Sequence, residues 1–104
     1  MDTIRKWTSP TEEFTVKGID LTESDVYVTF QQGETKSTFS GENITVTAQG
    51  DDTVIAVRLS QTVTGAFTDD AIHVQINWMM DGERDGTDIV TFIPTPNLYD
   101  EVIE

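Results

Sequence analysis

Apolar and polar residues alternate with a period of two along most of this chain, and a helical period competes in few places. Phe14 and Val16 are interleaved with Glu13, Thr15 and Lys17. Val26, Val28 and Phe30 oppose Tyr27 and Thr29, and Ile44, Val46 and Ala48 oppose Thr45 and Thr47. Successive side chains of a strand point to opposite faces, so each run predicts a strand with one buried side. Ile55, Val57 and Leu59 continue the pattern, while Val54 and Ala56 make that run apolar on its second face too, as in a central strand. The longest alternation sets Ile72, Val74, Ile76, Trp78 and Met80 against His73, Gln75, Asn77 and Met79. With Ile89 to Ile93 it predicts a long hairpin across a turn at Asp81 to Gly86.

Turn-forming residues separate the runs: Ser9-Pro10, Asp20 to Ser24, Gln32-Gly33-Glu34, Ser40 to Asn43, Gly50-Asp51-Asp52 and Thr68-Asp69-Asp70. Short strands at this spacing predict an all-β sandwich or barrel. The rhythm breaks at Ser60-Gln61-Thr62-Val63-Thr64, where a good N-cap residue precedes a single apolar position and predicts one helical turn. Beyond Pro94, residues 95–104 combine Pro96 with acids and with Leu98, Tyr99, Val102 and Ile103, which reads as a last strand or an exposed arm. The expected organisation is a sandwich over residues 1–94 and this strand or arm over 95–104.

Composition narrows the function. A chain of 104 residues, 37% hydrophobic and with nine aromatic side chains, suffices for one core. It contains no cysteine, so disulfides, thiolate metal sites and cysteine nucleophiles are excluded. The N-terminal residues lack the apolar core of a signal peptide, and the longest aliphatic run, Val54 to Val57, is too short to span a bilayer. Nineteen acidic and six basic residues give a net charge of −13, spread as −6 over residues 1–52 and −7 over 53–104. Such a field disfavours nucleic acid and anionic membranes as partners.

The candidate chemistry is sparse. His73 is the single histidine, no nucleophile-elbow sequence is present, and the acids fall in or beside predicted turns, where nothing raises their pKa. No catalytic residue and no cofactor is therefore expected. Asp81, Asp85 and Asp88, with Glu83, crowd the turn at 81–88 and are the candidates for a cation. Their spacing is not that of an EF-hand, and the same residues suit a hairpin connection, so no metal is expected. Trp78 belongs to the buried face of its strand. Trp7 is less constrained and is a candidate partner contact. A stacking platform of Trp7, Tyr27, Trp78 and Tyr99 would instead suggest a carbohydrate-binding module, and the acidity alone would suit a decoy of a basic host protein.

The stretch Leu59-Ser60-Gln61-Thr62-Val63-Thr64-Gly65-Ala66-Phe67 resembles a family of short proteins from the structural genes of phages and prophages of Gram-positive bacteria. The shared pattern is Leu, Ser or Thr, Gln, two variable residues, Thr, two more, then Phe. Thr8-Ser9-Pro10-Thr11 with Phe14 and Val16, then Val74-Gln75-Ile76, Asp81-Gly82, Asp88-Ile89-Val90 and Leu98-Tyr99-Asp100-Glu101-Val102, follow in the family's order. The chain departs at Thr62 and Val63, where acids are common, and at Asn77, where a base is frequent. A related fold is similar to the N-terminal domain of phage baseplate upper proteins. The resemblance implies an immunoglobulin-like antiparallel sandwich of about seven to eight strands. It further implies a virion or assembly protein that contacts other virion proteins or itself, in the host cytoplasm during assembly and then in the particle. Trp7, Leu98, Tyr99, Val102 and Ile103 are the expected contact residues.

Overall fold

The computed structural model describes residues 2–103. Nine strands occur among them: β1 (Asp2–Arg5), β2 (Thr11–Val16), β3 (Asp25–Gln32), β4 (Thr35–Ser40), β5 (Ile44–Gln49), β6 (Asp52–Arg58), β7 (Ile72–Met80), β8 (Glu83–Gly86) and β9 (Val90–Thr95). A 3-10 turn, Gly41–Asn43, links β4 to β5, and the short helix α1 (Gln61–Gly65) links β6 to β7. One sheet has the order β1-β9-β7-β3-β4 with β8 also on β7, and the other the order β2-β6-β5. In an immunoglobulin-like sandwich, β2-β6-β5 hold the places of strands B, E and D, and β9-β7-β3-β4 those of G, F, C and C′.

The sandwich expected from the alternation is therefore present, with two refinements. There are nine strands where seven to eight were anticipated, and the pairing is not wholly antiparallel. β1 runs parallel to β9, with Ile4 beside Pro94. β1 and β4 escape the alternation test because each is an edge strand that contributes one large apolar residue, Ile4 and Phe39 respectively.

The inner faces supply the core. Val26, Val28 and Phe30 of β3, Ile55 and Val57 of β6, and Ile72, Val74, Ile76 and Trp78 of β7 are all buried. β6 is the central strand of its sheet, as its two apolar faces predict. Phe30 meets Phe39 edge to face at 5.6 Å, and Phe14 meets Phe92 across the two sheets at 6.1 Å. Both are favourable aromatic geometries.

The hairpin turn is tighter than the sequence suggests. Asp81 and Gly82 alone form it, with φ of 54° and 80°, and Glu83–Gly86 form strand β8. Positive φ at both central residues marks a type I′ turn, whose twist suits a two-residue hairpin. Pairing passes from Asn77↔Gly86 to Val74↔Val90, so the returning strand carries one extra residue. At this bulge the Thr87 amide donates to Ile76 O, and the Thr87 hydroxyl accepts from the Ile76 amide.

Two buried threonines stitch connections to the body. The Thr53 hydroxyl donates to Ile19 O at 2.7 Å and accepts from the Leu21 amide at 2.9 Å, which seats fully buried Leu21. Thr64 of α1 donates to Thr8 O at 2.8 Å and accepts from the Thr8 amide at 3.1 Å. In this way the crossing from β1 to β2 is tied to the helix. At the neighbouring turn, the hydroxyl and amide of Thr22 both donate to Asp20 and hold its carboxyl below its ordinary value. That contribution exists above the unfolded-state pKa and is lost as pH falls through the lowered folded value.

Candidate interaction surface

The stretch Leu59 to Phe67 makes up α1 and its flanks. Leu59 is buried and its amide donates to Pro10 O, Ser60 caps the helix by accepting from the Val63 amide, Thr64 holds Thr8, and Phe67 packs on the core. The expected helical turn is thus present with its expected cap. The remaining motif residue, Gln61, takes another part. Its amide donates to Ile103 O at 2.9 Å and accepts from the Ile103 amide at 2.8 Å, so one side chain grips the far end of the C-terminal segment.

Trp7 lies against the same helix. It is half-buried, has φ of 63°, and its ring covers Gly65 so closely that a Cβ there would collide with it. A bulky side chain in the left-handed region is strained. The strain is offset by the Thr8–Thr64 pair and by the Thr8 hydroxyl donating to Arg5 O at 2.6 Å. Packing within the chain thus accounts for much of the Trp7 surface. Gly65→Ala is expected to destabilise the domain by about 1–3 kcal/mol through overpacking. Urea melts of Gly65→Ala and of Gly65→Ala with Trp7→Leu test this, since the second change should recover most of the loss.

Residues 96–103 follow the end of β9 without regular secondary structure. Their first part is fastened to β1: the Lys6 amide donates to Thr95 O, Arg5 donates to Pro96 O at 2.7 Å, and the Asn97 amide donates to Lys6 O. Their last part is held by Gln61. Between these anchors Leu98, Tyr99, Val102 and Ile103 are exposed, Leu98 completely and Ile103 at 67%. Four sizeable apolar side chains on a tethered backbone form the most conspicuous apolar surface away from the sheets.

The outward face of the larger sheet carries a second surface, of which the sequence singles out Tyr27 alone. Tyr27 and Met79, each about two-fifths exposed, flank a shallow groove of about 360 Å³ with Thr29, Thr38, Asn77 and Arg84. An adjoining depression adds Lys36 and His73. No protein-family model matches the chain, and no curated protein matches it either.

The other candidates separate in space. Asp81 sits in the hairpin turn, Asp85 in β8 accepts from the Gly86 amide, and Asp88 lies in the bulge. Among the described residues no three His, Asp or Glu side chains come together as a metal would need. His73 is exposed, and its Nδ1 lies 3.3 Å from the hydroxyl of Thr91 on the neighbouring strand. Trp78 is buried, so Trp7, Tyr27, Trp78 and Tyr99 do not share one platform. The groove could have been suspected from the outward positions of β3 and β7, where Tyr27 and Met79 stand among polar residues. Only the strand order shows that Arg84 and Lys36 join them.

Proposed function

We propose that this protein is a non-enzymatic assembly protein of a phage or prophage particle, acting through protein–protein contacts made by its C-terminal segment. The observation that carries the reading is the tethered arm. Exposed apolar side chains cost free energy in water, yet here they are presented on a backbone held at both ends. A pre-ordered segment loses less conformational entropy when a partner covers it. The phage setting rests on the resemblance centred on Leu59 to Phe67, and Trp7 is a supporting contact at the rim of α1.

Deletion of residues 98–104 is the test. All core side chains lie before this point, so the truncated chain should keep its circular dichroism spectrum and cooperative melt. Its co-sedimentation with phage particles should be lost. Undiminished co-sedimentation would refute the role given to the arm.

A second reading, a carbohydrate-binding module, is favoured by Tyr27, which stands exposed beside Asn77, Thr29 and Thr38 in a shallow groove. Stacking of a sugar there would be weakened by Tyr27→Ala, and a glycan array with no hits would remove it.

A further inference from the structure

In a chain of net charge −13, the outward face of the larger sheet carries little negative charge: of the acids in its described strands only Asp25, at the start of β3 and opposite Met79, lies on that face. Among the described residues no carboxylate lines the Tyr27–Met79 groove or the depression beside it. Lys36 and Arg84, two of the six basic residues, point into them together with the single histidine. Cross-strand register accounts for the clustering. Lys36 lies opposite Gln31, His73 opposite Gln31 on the other side, and Arg84 opposite Met79, all on the face away from the core. Several polar groups of the face are already satisfied by each other, as in Thr29 with Thr38 at 3.0 Å and His73 with Thr91. The two cationic groups and the exposed Tyr27 and Met79 remain available.

The complementary element occurs in the same chain. Leu98-Tyr99-Asp100-Glu101-Val102-Ile103 sets two acids between exposed apolar residues. It cannot serve its own groove while anchored as described, because it is fastened to β1 at the opposite edge of the sheet from β4 and to α1. We propose that the outward face around Tyr27, Met79, Arg84 and Lys36 receives the C-terminal arm of a second copy of this chain, with Asp100 and Glu101 meeting the two basic groups. Laying two such faces together would oppose cationic groups, so the contact is between arm and face; it forms twice in a two-fold dimer that exchanges arms, or head to tail in a ring or an open row. It rests on the assembly reading above and names a partner for that arm.

Charge reversal tests it in the full-length protein. Sedimentation velocity across a concentration series should show self-association of the unaltered chain that weakens with added salt. Lys36→Glu with Arg84→Glu, and separately Asp100→Lys with Glu101→Lys, should each weaken it about tenfold or more. The four changes combined restore opposite charges and should recover most of the affinity, an outcome that loss of folding cannot imitate. Single-sided variants that associate as well as the unaltered chain would overturn the proposal. A chain that stays monomeric yet co-sediments with particles through its arm would overturn this inference alone and leave the assembly role standing. A glycan held on the Tyr27 groove by a monomeric chain would overturn it in favour of sugar binding.

Discussion

Phe30→Ala is expected to cost about 3–5 kcal/mol, as truncation of a fully buried aromatic residue commonly does. Phe30 is 1% exposed, lies between Val74 of β7 and Ser37 of β4, and meets Phe39 edge to face. Phe39 is the sole large apolar side chain of β4, so removing its partner weakens the hold on that strand as well as leaving a cavity. For a domain of this size the loss corresponds to a fall in Tm of roughly 15 °C or more. Hydrogen exchange should show β4 opening before β3 and β7. A loss below about 1 kcal/mol would mean that the β3–β4 edge is not held by this aromatic pair.

Thr64→Val should cost about 1–3 kcal/mol, although valine has nearly the same shape. The hydroxyl serves both the amide and the carbonyl of Thr8, and valine leaves two polar groups without partners beside a fully buried position. The consequence should be regional. With Thr8 released, Trp7 loses what holds it in the left-handed region, and β1 should exchange its amides faster than β7 does. Thr64→Ser keeps the hydroxyl and should retain most of the stability. Equal losses for Val and Ser would assign the effect to the methyl group instead.

The readable elements are those that turn every second residue toward the core, fully buried or packed against it. β2, β3, β5, β6, β7 and β9 announce themselves because the inner faces of two packed sheets impose a period of two on them. Ser60 marked α1 through its capping oxygen, a purely local signal. β1, β4 and β8 left no such trace. β8, composed of Glu83, Arg84, Asp85 and Gly86, extends beyond the core and is held by pairing with β7 alone. That is why the turn looked like a loop from Asp81 to Gly86 when only Asp81 and Gly82 turn.

The surfaces divide in the same way. The apolar residues of the arm stand out in sequence because nothing around them alternates. The groove does not, since Tyr27, Lys36, Met79 and Arg84 come from four strands and meet only through cross-strand register. Gln61 is a further case, because its grip on Ile103 spans 42 residues and no local pattern requires it.

The measurement that bears most directly on the assembly role is quantitative mass spectrometry of purified phage particles, made with the unaltered chain and with the chain ending at Asn97. The account predicts the unaltered protein at a fixed copy number per particle and the shortened protein depleted from particles while still folded in the lysate. Particles that lack the unaltered protein, or that hold both forms equally, would contradict it.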